Sequence, residues 1–162
     1  MYSKSLNHML MAVMATVVVM AACSKKDEAP KTASGEMIVK IGQVSPLTGP
    51  QAHLGKDNDN GARLAIDEAN ARGVTLGGQK VKFMLLSEDD QADPKTATIV
   101  AQKLVDAQVK GVVGHLNSGA SIPASKIYHD AGIPQISPSA TAIKYTDQGF
   151  KTAFRTMTND RQ

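Results

Sequence analysis

From residue 37 onward, short runs rich in β-branched residues alternate with longer stretches whose apolar residues recur every three or four positions. This alternation constrains the fold more than any other feature. The run "MIVKIGQVS" reads as a strand over 37–45, ended by the turn "PLTGP". Ala62, Ala65, Ile66 and Ala69 then mark a helical stripe, with Asp67, Glu68 and Arg72 outward and Gly73 as the stop. "VKFMLLSED" is a second strand over 81–89. Asp93 and Pro94 predict the next helix start, because the Asp accepts from free backbone amides and Pro loses nothing at the first helical position. Ala97, Val100, Ala101, Leu104 and Val105 form that helix's apolar stripe, and "KGVVGHL" follows as a short buried strand. A third helix carries Ala120, Ala124, Ile127 and Ala131. "GIPQIS" and "FKTAFRT" are the fourth and fifth strands, separated by a Pro/Ser/Thr loop over 137–141 and an irregular stretch through Gly149. Strands alternating with helices predict an α/β fold: a parallel sheet with flanking helices and right-handed crossovers, which takes ligands beyond the carboxyl ends of its strands.

The region before this pattern is built differently. Lys4 is followed by an uncharged apolar run over 9–22, shorter than the roughly 20 residues a membrane-spanning helix needs, and then by "MAAC". This predicts a signal peptide over 1–22 with a lipoprotein cleavage box, Ala21 and Ala22 being small enough for a peptidase groove. Met20 stands where such boxes usually carry Leu. Cys23, the chain's single cysteine, becomes the mature amino terminus and the site of lipidation that anchors the protein to a membrane. A lone cysteine also excludes an intrachain disulfide or a zinc cluster of cysteines. Residues 23–35, rich in Lys, Asp, Glu, Pro, Ser and Thr, read as a flexible tether, and the folded domain is expected over 36–162.

Several chemistries are excluded. The net charge of +3 is spread, with basic residues beside acidic ones as in "SKKDEA", so no nucleic-acid-binding surface is expected. No glycine-rich phosphate-binding motif opens any helix, and Ser118 in "HLNSGAS" lacks the strained elbow of a nucleophile. His8, His53, His115 and His129 show no metal-ligand spacing, and His115, at a strand end, reads as a packed, hydrogen-bonded residue. The acidic run "SEDDQAD" reads as a solvated loop whose Asp93 caps a helix. No catalytic residue, cofactor or metal is expected.

What remains is a pair of hydroxyl-rich loops at one predicted sheet edge. "GHLNSGAS" leaves a buried strand and enters a helix, which offers backbone amides and the Ser118 and Ser121 hydroxyls to a carboxylate. "SPSAT" follows the next strand and adds Ser139 and Thr141. Neutral donors for an anion, together with carbonyl acceptors for an ammonium, suit a zwitterionic α-amino acid. The same residues equally suit helix capping and turn formation.

The ordered strings "VSPLTGPQAHLG", "GARLAIDEANARGV", "SEDDQADPKTA", "GVVGHLNSGASIPASKIYHDAGIPQISPSATA" and "FRTMTND" resemble the leucine/isoleucine/valine-binding proteins over essentially all of 37–162. The resemblance implies the first lobe of a two-lobed periplasmic binding protein, in an apparently truncated chain lacking the second lobe. It implies that Ser118 and Thr141 bind the ligand carboxylate, that the Ser139 carbonyl takes the ammonium, and that Leu54, in the loop after the first strand, touches the ligand where relatives often carry Tyr. Some relatives join the second- and third-strand loops by a disulfide, where this chain has Ala92 and Asn117. The implied function is a periplasmic, membrane-anchored substrate-binding lipoprotein that delivers a branched-chain or related amino acid, or an amide, to an ABC permease in the inner membrane. The alternatives are a ligand-sensing module of the same fold and a secreted hydrolase with an unrecognised site.

Overall fold

The structure is a computed structural model that describes Thr32 and residues 35–161. The expected signal peptide, Cys23 and nearly all of the tether lie outside the described residues. The elements run β1 (Met37–Ser45), α1 (Ala52–Arg72), β2 (Thr75–Leu76), β3 (Gln79–Asp89), α2 (Pro94–Asp106), β4 (Val112–Gly114), α3 (Ser118–Asp130), β5 (Gln135–Ser137), α4 (Lys144–Asp147) and β6 (Ala153–Arg155). They build one sheet in the order β2-β3-β1-β4-β5-β6. Every pair is parallel except β2 with β3, a hairpin closed by Gly77 and Gly78, both at positive φ. The sequence reading missed that hairpin and the single-turn α4, although a Gly-Gly pair between short runs is a hairpin signal.

Successive strand residues point to opposite faces, and β1 shows which helices cover each. Val44 packs in a core with Val100, Ala101, Leu104, Val112, Ala124 and Tyr128, so α2 and α3 lie on that side. Ser45, its neighbour, donates from Oγ to the Gly55 carbonyl of α1 at 2.9 Å, which puts α1 on the other. The α2 stripe is as expected: Ala97, Val100, Ala101 and Leu104 are all buried, and Asp93 accepts from the Thr96 amide at 2.6 Å with Pro94 following. Helix α1 departs from expectation. Its deepest residues are Gly55 and Asp59, Ala65 is exposed, and polar ties hold it down: Ser87 and Arg63 on Asp59, and Asn70 bridging the Phe83 amide and carbonyl. Gly55 is required by proximity, since a Cβ there would sit 1.9 Å from the Pro46 carbonyl oxygen. A second, smaller core of Ala140, Tyr145 and Ala153 lies under the loop that follows β5. Among the described residues no helix is long and apolar enough to cross a membrane.

Candidate functional site

The loops after β1, β3, β4 and β5 all leave the carboxyl edge of the parallel sheet, and the first three lead into the amino termini of α1, α2 and α3. Unpaired amides and aligned peptide dipoles make such termini favourable for anions. Ser118 is the first residue of α3, and its Oγ accepts from the Ala142 amide at 3.1 Å. That bond joins the α3 start that follows β4 to the residue next to Thr141, so the structure brings the Ser118 and Thr141 segments together. The Ser118 Oγ–H remains available to donate. Among the described residues the Thr141 Oγ1 makes no hydrogen bond and no N–H reaches the Ser139 carbonyl, while the Ser139 hydroxyl is used, donating to the Leu116 carbonyl at 2.7 Å.

Two expectations change. Ser121 is fully buried and donates to the His115 carbonyl at 3.0 Å, so it holds the loop from within and cannot face a ligand. Leu54 belongs to the first turn of α1 rather than to a loop; it is 45% exposed and reaches the site's neighbourhood through Gln51, whose Oε1 accepts from Asn117 Nδ2 at 2.8 Å. Asn117, at one of the two places where some relatives carry a cysteine, therefore ties the α3 amino terminus to that of α1, and its own Oδ1 is left buried without a partner among the described residues.

Behind the rim lies a polar layer. His115 is fully buried, its Nδ1 2.8 Å from Asp90 Oδ2 and its Nε2 3.3 Å from the Tyr128 hydroxyl. Burial, reinforced by the Asp90 charge, pushes the Tyr128 hydroxyl far above its ordinary range, so it stays protonated and can donate to Nε2, leaving Nδ1–H for Asp90. The packed role expected for His115 is observed. The "SEDDQAD" loop is not uniformly solvated, because Asp90 is completely enclosed. Asp89 beside it is half-buried; burial raises its carboxyl, but hydrogen bonds from Thr48 Oγ1 and the Gln91 and Leu47 amides outweigh this and hold it below the ordinary range. The His115 carbonyl accepts a second bond from Ser137 Oγ at 2.7 Å, and Ser137 Oγ in turn accepts from the Ala140 amide at 2.9 Å. Gly114 fits here because its φ of +127° suits glycine and a Cβ would meet the Val44 carbonyl at 2.2 Å.

Sequence reasoning also missed Arg155, the last residue of β6. Its Nη1 donates to the Ala140 carbonyl at 2.8 Å, and its Nη2 to the Ala142 carbonyl at 3.0 Å and to Thr146 Oγ1 at 2.8 Å. Only pairing of β6 next to β5 places it beneath the 137–141 loop, with Ser137 opposite Arg155 in register.

A family described as periplasmic binding protein matches residues 38–162. The chain is 44% identical over 124 residues to a Leu/Ile/Val-binding protein homolog of Brucella abortus, covering 76% of this chain and 33% of that protein. It is 43% identical over 119 residues to a leucine-, isoleucine-, valine-, threonine- and alanine-binding protein of Pseudomonas aeruginosa, covering 74% and 31%. Among solved structures it is similar to a branched-chain amino acid transporter substrate-binding protein of Streptococcus pneumoniae in complex with isoleucine, at 34% identity and a TM-score of 0.69 over 76% of this chain and 34% of that one. It is also similar to an ABC-transporter solute-binding protein of Rhodopseudomonas palustris bound to 3,4-dihydroxybenzoic acid, at 28% identity and a TM-score of 0.65 over 75% and 32%. The chain thus spans about a third of the length of the relatives it matches. With its sheet order like that of the solved relatives and the family match spanning residues 38–162, the chain belongs to the periplasmic binding protein family.

Proposed function

We propose that this chain forms the amino-acid-gripping face of a substrate-binding lipoprotein serving an ABC importer for branched-chain or related amino acids. The observation that carries the reading is the Ala142 amide to Ser118 Oγ bond, which sets two hydroxyl-bearing segments side by side at a rim fed by helix amino termini. In this reading the Ser118 and Thr141 hydroxyls donate to the ligand α-carboxylate, the Ser139 carbonyl accepts from the ammonium, and the exposed Leu54 side chain lies against the ligand's aliphatic part. The names of the relatives support leucine, isoleucine and valine as ligands. Cys23 carries the lipid anchor, residues 23–35 tether the domain in the periplasm, and the inner-membrane permease receives the ligand.

The test is a titration of the ¹⁵N-labelled chain with L-leucine, followed at the Ser118 and Thr141 amides. Hydrogen bonds to charged groups contribute about 1.5–3 kcal/mol, so Ser118→Ala and Thr141→Ala should each weaken binding by roughly 10- to 100-fold. Leucine, isoleucine and valine all leaving both amides unmoved would overturn the assignment. A benzoate arm addresses a second reading, favoured by the Rhodopseudomonas neighbour and its aromatic acid: saturation by benzoate but not by leucine would move the ligand class from amino acids to aromatic carboxylates. For the anchor, cells should incorporate labelled palmitate into the unaltered chain and not into Cys23→Ala; equal labelling of the two means lipidation at Cys23 is wrong.

A further inference from the structure

The 140–142 segment has an unusual division of labour. All three of its carbonyls are engaged: Ala140 by the Arg155 guanidinium, Ala142 by the guanidinium and the Tyr145 amide at 3.1 Å, and Thr141 by the Asp160 amide at 3.1 Å. Its donors are divided: the Ala140 amide goes inward to Ser137 Oγ at 2.9 Å, the Ala142 amide goes to Ser118 Oγ, and the Thr141 amide and hydroxyl have no partner among the described residues. Holding the carbonyls on one side leaves the rim with donors and removes the oxygens that would repel an anion. The charge that does this holding is not neutralised locally. Among the described residues no carboxylate lies within 4.0 Å of Arg155; Asp147, the acidic residue of α4, is instead paired with Arg161 at 2.6 Å. Arg155 is half-buried, with its guanidinium carbon 5.5 Å from the centre of the fully buried Tyr145 ring, so it is fixed in place and only partly screened by water.

We propose that Arg155 is the positioning residue that makes this rim select a carboxylate: it turns the carbonyls around Thr141 away from the ligand and supplies a fixed, uncompensated positive charge beneath it. The guanidinium is suited to both tasks, since its planar fork spans two carbonyls at once and its charge is permanent. Lysine keeps the charge but, as a point donor, cannot replace the fork.

The proposal rests on the ligand reading above in one arm of its test and stands apart from it in the other. Leucine and leucinamide differ in the carboxylate alone, so their affinity ratio reports the selection. Arg155→Gln should weaken leucine on the order of 10-fold while changing leucinamide by less than about 2-fold, a collapse of the ratio that loosened packing alone would not produce, because both ligands would then suffer together. Arg155→Lys should keep the ratio and weaken both ligands, and it carries the test if the Gln variant does not fold. A ratio unchanged in Arg155→Gln, or lost in Arg155→Lys, overturns the proposal and leaves the amino-acid assignment standing. The second arm uses acetate as a bare carboxylate probe, read at the Thr141 amide. If the unmodified chain ignores leucine yet acetate shifts that amide in an Arg155-dependent way, the amino-acid assignment falls and the role of Arg155 holds. If neither leucine nor acetate moves it, both fall.

Discussion

Replacing Ser137 by Ala deletes a buried oxygen that ties the two rim loops to each other from below. Ser137 is fully buried; its Oγ donates to the His115 carbonyl at 2.7 Å and accepts from the Ala140 amide at 2.9 Å. The two ends lose unequally. Ala140 is itself fully buried, so its N–H is left without a partner, at about 1–3 kcal/mol. The His115 carbonyl still accepts from Ser121 Oγ at 3.0 Å, so its loss is near an ordinary net hydrogen bond, about 1 kcal/mol. The sum is about 2–4 kcal/mol. For roughly 125 ordered residues the unfolding entropy is about 0.26 kcal/mol/K, which converts this to a fall in Tm of about 8–15 °C. Calorimetric melting measures the fall, and amide exchange at Ala140 identifies its source. Thr98→Ala is the control, since its hydroxyl bonds only the exposed Lys95 carbonyl and should shift stability by no more than about 0.5 kcal/mol. A Tm loss no larger than the control's, with Ala140 still protected from exchange, would refute the reasoning.

Three other perturbations probe separate parts of the fold. Gly55→Ala should destabilise by at least about 3 kcal/mol in denaturant titration, since the new methyl meets the Pro46 carbonyl at 1.9 Å and both partners are backbone. Gln108→Gly should stabilise by about 0.5–1 kcal/mol, because Gln108 sits just beyond α2 at φ +62°, where a side chain is strained, and it is exposed. Asp89 holds a folded-state pKa below its usual 3.8, so its contribution is complete above that value and is lost as the pH falls through it toward the lower folded-state value. Melting curves from pH 6 downward should therefore show a shallower acid decline for Asp89→Asn than for the unaltered chain.

Regular elements with a periodic signature were legible in the sequence. Helix α2 is the clearest case, because Asp93, Pro94 and a stripe of Ala97, Val100, Ala101 and Leu104 all specify the same helix. The buried, hydrogen-bonded state of His115 was legible from its place at a strand end. Features set by tertiary neighbours were not. Ser121 and Ser118 lie in one short string, yet one turns inward to the His115 carbonyl and the other stays at the rim, a choice made by the packing of α3. Asp90 and Asp89 are adjacent and acidic, but Asp90, just past the end of β3, faces the interior against His115 while Asp89 accepts from the Leu47 amide and Thr48 hydroxyl. The meeting of the Ser118 and Thr141 segments was anticipated from the alternation of strands and helices, which sends both loops to one sheet edge, and from the family resemblance, although 24 positions separate the two ends of the Ser118–Ala142 bond. Arg155 gave no local signal, because its meaning depends on which strand lies next to β6.

The central place of β1 has a consequence for how the chain comes into being. Its partners are β3 on one side and β4 on the other, and the second pairing ends at Gly114. During synthesis the first strand made must therefore wait, with one bare edge after residue 89 and both bare before it, until a much later segment emerges to seal it. Such long-range closure is slow and leaves sticky backbone exposed, so a nascent chain of this design gains from whatever keeps "MIVKIGQVS" solvated until then.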